Sequence, residues 1–168
     1  MTTKVIFKTL LDIMLFIAAA TLLEAVVKIL GIFISGFPNF LVNQETFENN
    51  PIKIKSLVIL NVINQTLFFC CILFLRKIAK VYREQKSVYQ LQILDYLSIA
   101  GWCLFFFSGL EIIVKGLEIF IDTSNFKMAG ITSTQKSALL AVLAILMIRL
   151  SKIFNKTVTE KKENEFTI

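Results

Sequence analysis

The chain has 168 residues, of which 56% are hydrophobic and 18% are charged, and its formal net charge is +6. Soluble domains have about 45–50% apolar and about 25% charged residues, so this composition indicates an integral membrane protein. The absence of histidine excludes His-based zinc centres and Ser-His-Asp triads. Cys70, Cys71 and Cys103 lie within apolar runs, where thiols behave as small buried hydrophobes rather than as a secreted disulfide framework.

Four apolar segments follow one another along the chain, at about 10–37, 57–75, 96–121 and 131–148. Each approaches or exceeds the roughly 20 residues that a helix needs to cross about 30 Å of hydrocarbon, whereas a membrane strand needs only about 9–11. The sequence therefore predicts an all-α integral membrane four-helix bundle in a single domain, with a cytoplasmic tail over 155–168. The Pro38 step is predicted to end the first helix at Phe37.

The first segment also has features of a secretory signal peptide. Lys4 and Lys8 would form its basic region, and Ala18-Ala19-Ala20 a small-residue cleavage site. The apolar run nevertheless continues to Phe37, well beyond such a site. We therefore expect the first span to be retained.

The distribution of lysine and arginine predicts the orientation. Basic residues are dense before the first span, after the second and after the fourth, whereas the other two loops hold only two each: Lys53, Lys55, Lys127 and Lys136. Because cytoplasmic loops carry the excess of basic residues, both termini are predicted to be cytoplasmic.

The first and third spans carry a matched polar pattern. The first contains Leu23-Glu24-x-x-Val27-Lys28-x-Leu30-x-Ile32-Phe33-Ile34, and the third contains Leu110-Glu111-x-x-Val114-Lys115-x-Leu117-x-Ile119-Phe120-Ile121. A charged side chain at the centre of a membrane helix costs roughly 2.5–3.5 kcal/mol on insertion scales. Charges at matched positions therefore indicate a paired intramembrane polar site.

Weaker matches extend this similarity to whole hairpins. Leu11-Asp12 returns as Leu94-Asp95, and Ile72-Leu73-x-x-Arg76 returns as Ile145-Leu146-x-x-Arg149. Two hairpins of the same orientation correspond to a parallel repeat about an axis along the membrane normal, which is a plan that some transporters use. We interpret the pattern as an internal repeat, with compositional resemblance of apolar segments as the alternative.

Helical rise places several polar residues at one depth. Counting about 1.5 Å per residue from the cytoplasmic ends of the spans gives a common layer in the outer half of the bilayer. This predicted polar layer consists of Glu24, Lys28, Asn61, Asn64, Glu111, Lys115, Glu118 and Lys136.

The polar layer has two interpretations. Its carboxylates and ammonium groups balance, and Glu and Lys four apart can pair on one helical face, so we favour an ion-pair lock between helices. The alternative is a gated polar cavity that serves as the path of a small transporter or channel. An enzyme is not expected, because no nucleophile sits beside a base, and no cofactor or metal is implied.

The loop after the second span is strongly basic. An amphipathic helical pattern there would bring it to the inner membrane surface, where it would attract anionic lipid. The alternative is a topology signal only, and direct nucleic-acid binding is disfavoured because no recognition motif accompanies the charge. The basic residues of this loop are Arg76, Lys77, Lys80, Arg83 and Lys86.

The end of the chain resembles a known family. Leu150-x-Lys152-Ile153-Phe154 precedes a tail motif of Glu163, Asn164, Phe166, Thr167 and Ile168. This ending is similar to that of the YoaS-like family, a group of small bacterial four-span membrane proteins of unknown function. The segment Val88-Tyr89-Gln90-Leu91-Gln92 departs from the more basic stretch that this family has before its third span.

The resemblance implies a setting rather than a chemistry. It implies the bacterial inner membrane and a small helix-turn-helix regulator as a cytoplasmic partner, because such regulators are often encoded beside family members. We expect a non-enzymatic regulatory or scaffolding protein whose tail is disordered up to Phe166 and Ile168. The bilayer is the other expected partner, and self-association is an alternative.

Overall fold

The computed structural model describes residues 2–33, 51–84, 90–121 and 129–165, and within them the side chains of 5–31, 33, 52, 55–82, 92–117 and 135–160. These stretches form four helices that pack against one another. We label them α1 (Thr2–Phe33), α2 (Pro51–Glu84), α3 (Gln90–Ile121) and α4 (Ala129–Glu165). The prediction of an all-α four-helix membrane bundle is confirmed for these residues.

The helices are longer than the predicted spans. They contain 32 to 37 residues, or about 48–55 Å at 1.5 Å per residue, against a hydrocarbon core of about 30 Å. Four apolar stretches within them are long enough to cross a membrane: Val5–Gly31, Lys55–Tyr82, Gln92–Leu117 and Gln135–Glu160. The chain therefore has the character of a multi-pass membrane protein.

The predicted boundaries are only partly tested. α2 continues nine residues beyond the span that we predicted to end at Leu75, because the charged residues that follow are good helix formers. It begins at Pro51, a residue tolerated in the first turn. The predicted end of the first helix at Phe37 lies outside the described residues, as do residues 85–89.

α1 and α2 form an antiparallel hairpin whose register is fixed at two points. Near one end, Nε of Arg76 lies 2.7 Å from Oδ1 of Asp12. Near the other, Nζ of Lys55 lies 5.8 Å from the centre of the Phe33 ring. Equal steps along the two helices from either contact place Glu24 level with Asn64.

α3 packs against both α2 and α4. The rings of Phe68 and Phe107 meet with centroids 5.1 Å apart, which ties α2 to α3. A core cluster of Cys71, Ala100, Leu104 and Ala144 joins α2, α3 and α4. The three cysteines are free thiols, consistent with the packing role that we predicted for them.

Small residues bring α3 and α4 close together. Gly101 faces Ala144 and Ile148, and a Cβ placed on Gly101 would lie 2.7 Å from Cγ1 of Ile148. One turn away from this contact, Oγ of Ser151 donates a hydrogen bond to the carbonyl oxygen of Leu94 at 2.6 Å. Small residues at membrane helix interfaces allow this close approach of backbones.

The packing follows chain order, since α1 packs mainly on α2, α2 on α3, and α3 on α4. α1 therefore has one main neighbour, and much of its surface is uncovered. Large apolar side chains occupy that surface, as expected where a helix faces lipid; they include Ile13, Phe16, Ile17, Leu23 and Val26.

The expectation of a disordered tail is wrong for most of its length. α4 continues without interruption to Glu165, and an i,i+4 pair between Lys156 and Glu160, with Nζ and Oε1 3.6 Å apart, lies on its surface. The reason is local, because the segment is rich in lysine and glutamate and contains neither glycine nor proline. Residues 166–168 lie outside the described part of the chain.

Candidate functional site

The most buried polar contact of the predicted layer joins α2 to α3. Nδ2 of Asn64 donates a hydrogen bond to Oε2 of Glu111 at 2.7 Å. Asn64 is fully buried, whereas Glu111 is partly buried. Hydrogen bonds to an ionised acceptor are roughly twice as strong as neutral ones, so this bond holds the two helices in one register.

The side-chain carbonyl oxygen of Asn64 lacks a hydrogen-bond partner among the described residues. This Oδ1 atom is buried and accepts no hydrogen bond from any described side chain or backbone group. An unpaired buried carbonyl costs about 1–3 kcal/mol. The layer therefore contains an acceptor that a proton donor or a cation would stabilise.

On α1 the layer is arranged differently. Nζ of Lys28 lies 2.7 Å from Oε1 of Glu24, an i,i+4 pair within one helix, and the side chains are 32% and 60% exposed, respectively. Glu24 thus neutralises its neighbour on the same helix instead of joining α1 to another helix.

The two matched glutamates therefore stand in different surroundings. Residues buried on α1 are Leu11, Ala18 and Ala25, seven apart and thus on one face. Residues buried on α3 at the same spacing are Leu94, Gly101 and Ser108. Aligning these stripes matches Glu111 with Lys28, although the register through Asn64 keeps Glu24 and Glu111 at one level of the bundle. The two glutamates therefore differ in where they lie relative to the buried face of their helix.

Other members of the predicted layer lie close to this level. The contacts of Gly101 and Leu94 with α4 set a register that places Glu111 level with the segment around Lys136 and Ser137. Lys136 is exposed, while Asn61 and Lys115 are partly buried. Glu118 lies in α3, but its side chain is outside those that the structure describes.

Three serines are buried between the helices, and two of them, Ser108 and Ser151, were not predicted from the sequence. Ser108, Ser137 and Ser151 are each at most 4% exposed, and Ser108 Oγ donates to the carbonyl oxygen of Phe105 at 2.9 Å. Ser137 and Ser151 lie seven residues on either side of Ala144 on α4. The seven-residue spacing of small residues on α4 could have predicted their burial. It was overlooked because the charged residues at a similar depth were considered first.

The basic residues after the second span lie largely on α2, which continues to Glu84, in agreement with the helical pattern of this segment. Arg76, Lys77 and Lys80 are exposed residues of α2, and Lys77 Nζ lies 5.1 Å from the centroid of the Phe74 ring and 5.5 Å from that of Tyr96. Such cation–π contacts contribute about 0.5–1 kcal/mol at exposed sites. Arg83 belongs to α2 with its side chain undescribed, and Lys86 lies outside the described residues.

The segment of α4 beyond Ser151 has no packing partner among the described residues. Residues 152–157 and 159–160 are all exposed. Of the tail motif, Glu163 and Asn164 continue the helix, while Phe166, Thr167 and Ile168 lie beyond the described part.

The described residues offer no group of three or more His, Cys, Asp or Glu side chains positioned to hold a metal ion. Within the layer, the described side chains form the Asn64–Glu111 hydrogen bond and the Glu24–Lys28 ion pair. In comparisons with protein-family models, curated proteins and solved structures, no significant match to this chain was found.

Proposed function

We propose that this chain is a non-enzymatic regulatory or scaffolding protein of the bacterial inner membrane, in which the bundle is an anchor and the end of α4 is the platform for a cytoplasmic partner. The positive-inside distribution supports cytoplasmic termini. The resemblance of the chain's end to the YoaS-like family supports a small helix-turn-helix regulator as that partner.

The observation that carries the proposal is the length of α4. Ser151 contacts Leu94, and α3 begins four residues earlier at Gln90, level with about residue 155 of α4. α4 then continues to Glu165, roughly 15 Å further at 1.5 Å per residue. Among the described residues no other helix accompanies α4 over this distance, and residues 152–157 and 159–160 are exposed, so the end of α4 presents a surface.

That surface has the pattern of a docking helix. Leu150, Ile153, Phe154 and Val158 recur at intervals of three and four residues, which places them on one face. An amphipathic helix that lies in an apolar groove uses anchors at this spacing. Lys152 and Lys156 are exposed beside them.

The test measures binding of the regulator encoded nearest to the gene by the detergent-solubilised full chain. The double variant Ile153→Ala/Phe154→Ala is compared with Leu143→Ala/Leu146→Ala, which is also on α4. The side chains changed are similarly exposed, at 60% and 52% against 51% each. We expect at least tenfold weaker binding for the first variant only, and equal losses would overturn the proposal.

Truncation supplies a second test of the same proposal. Deletion of residues 160–168 should leave membrane insertion intact and abolish co-purification of the regulator. Insertion is measured by alkaline extraction of membranes, so that a folding failure is seen separately. Unchanged co-purification from correctly inserted protein would contradict the proposal.

A second candidate function is that of a small transporter or channel in which the polar layer forms the path. The unpaired Oδ1 of Asn64 beside Glu111 favours it, because such an acceptor is suited to a transient cation or proton donor. Flux of protons, Na⁺ and K⁺ into proteoliposomes is the measurement. Wild-type flux that Glu111→Gln reduces and Glu24→Gln leaves unchanged would support this candidate, whereas no wild-type flux would exclude it for these ions.

A further inference from the structure

The register of the α1/α2 hairpin brings two lysines face to face. Asp12 and Arg76 are in contact. Lys8 precedes Asp12 by four residues on α1, and Lys80 follows Arg76 by four residues on α2. Because residues four apart share a helical face and the helices are antiparallel, Lys8 and Lys80 lie level with each other across the same groove, one turn beyond the Asp12–Arg76 pair.

This end of the groove carries an excess of positive charge. The described charges on it are Lys8, Asp12, Arg76 and Lys80, and the one carboxylate among them is already bonded to Arg76. No described side chain makes an ion pair with Lys8 or Lys80. Two ammonium groups at one level of the groove repel each other, and Lys8 is partly buried, which reduces solvent screening.

The same groove has an apolar border. Val5, three residues before Lys8 and therefore on the same helical face, is 60% exposed, and the neighbouring Phe7 is 49% exposed. Both lysines lie within the apolar stretches Val5–Gly31 and Lys55–Tyr82, only a few residues from their ends. Lysines near the ends of membrane-length apolar stretches reach the headgroup region, where an anionic phospholipid presents its phosphate toward the lysines and its acyl chains toward the apolar side chains.

We propose that Lys8 and Lys80, one turn beyond the Asp12–Arg76 pair, form a binding site for the phosphate of an anionic phospholipid headgroup between α1 and α2. The phosphate accepts charge-assisted hydrogen bonds from the two ammonium groups and removes their mutual repulsion. Its acyl chains lie along the exposed apolar side chains of α1. The bound lipid thereby links α1 to α2 at the same end of the hairpin as the Asp12–Arg76 ion pair.

The experiment uses the full chain in nanodiscs of phosphatidylcholine with increasing phosphatidylglycerol, and native mass spectrometry counts the anionic lipids retained. Wild type is compared with Lys8→Gln/Lys80→Gln. Lys152→Gln/Lys156→Gln is the matched control, because it removes the same charge from exposed positions of α4. Each lysine near an anionic surface contributes about 1 kcal/mol, so the first variant should retain phosphatidylglycerol roughly 10- to 30-fold more weakly.

The other outcomes are equally informative. Lys8→Arg/Lys80→Arg should restore retention, which shows that the charge rather than the fold is responsible. Equal retention by the wild type and the Lys8→Gln/Lys80→Gln variant would overturn the proposal. Stabilisation by inorganic phosphate in pure phosphatidylcholine nanodiscs, equal to that by phosphatidylglycerol, would assign the site to a free phosphate and contradict the lipid assignment.

Discussion

Asn64 and Glu111 lie on adjacent helices, and the amide of the first donates to the carboxylate of the second at 2.7 Å. The helices pack in chain order, and this hydrogen bond fixes the register of α2 against α3. Its partner in the sequence pattern, Glu24, is bonded within its own helix to Lys28. Of these two contacts, the one between α2 and α3 includes the fully buried Asn64, whereas the pair on α1 is 32% and 60% exposed.

The first prediction concerns the hydrogen bond between Asn64 and Glu111. Asn64→Ala removes the donor to Glu111 and leaves a partly buried carboxylate without it, so the free energy of unfolding should fall by about 1–3 kcal/mol. Asn61→Ala, three residues earlier on α2, serves as the control and should cost less than about 1 kcal/mol. Thermal unfolding of the purified protein in detergent, followed by circular dichroism, measures both. Equal destabilisation by the two variants would contradict a special role of Asn64.

The second prediction concerns the ion pair between Asp12 and Arg76. A double-mutant cycle with Asp12→Ala and Arg76→Ala should give a coupling free energy of about 0.5–1 kcal/mol, because both side chains are partly exposed. The same cycle on Asp95 and Arg149, which the sequence pattern pairs but which are both exposed and not joined in the described structure, should give a value near zero. Equal couplings would show that the two hairpins are closer equivalents than their contacts indicate.

The third prediction concerns the contact of α3 with α4. A Cβ at Gly101 would lie 2.7 Å from Cγ1 of Ile148 and 3.1 Å from the carbonyl oxygen of Ala144, so Gly101→Ala should destabilise the bundle by about 1–3 kcal/mol through overpacking. Gly109→Ala is the matched control on the same helix, since nothing lies within 4 Å of its Cβ position. Helix propensity alone predicts a stabilisation of up to about 1 kcal/mol there. Chemical denaturation in mixed micelles compares the two, and a tolerated Gly101→Ala would contradict the close packing.

The sequence was sufficient for the helices and for part of their register. Apolar length alone predicted four spans. Asp12 and Arg76, which lie at the cytoplasmic ends of the first two predicted spans, form an ion pair, as equal depths of these two ends require. The Glu24–Lys28 pair follows from i,i+4 spacing, which needs no knowledge of the fold. Because these features are local or depend on a single hairpin, they can be predicted from the sequence pattern and the geometry of the helix.

The difference between Glu24 and Glu111 could not be predicted in the same way. Both occur in the same twelve-residue pattern, but α3 packs between two helices whereas α1 has one main neighbour. Exposure is decided by the neighbours of a helix, and a single chain's pattern does not contain their positions. The buried stripes of small residues, such as Ala18 and Gly101, carried that information at a spacing of seven.

The fourth prediction concerns orientation. Lys161→Cys should react with a membrane-impermeant maleimide only after intact cells are permeabilised, whereas Lys53→Cys should react directly in intact, outer-membrane-permeable cells. The native cysteines lie within apolar stretches, and the unsubstituted chain measures their background. Reaction of Lys161→Cys in intact cells would reverse the proposed topology and, with it, the cytoplasmic position of the α4 platform.

The most direct test of the proposed function is photocrosslinking in living cells from a photoreactive amino acid placed at Phe154, with Leu143 of the same helix as the comparison. The proposal predicts a discrete adduct with the neighbouring helix-turn-helix regulator from position 154 and none from position 143, which lies deeper within the apolar stretch Gln135–Glu160. No adduct from position 154 in cells that contain the regulator, or adducts of equal yield from both positions, would contradict the assignment of the end of α4 as the docking platform.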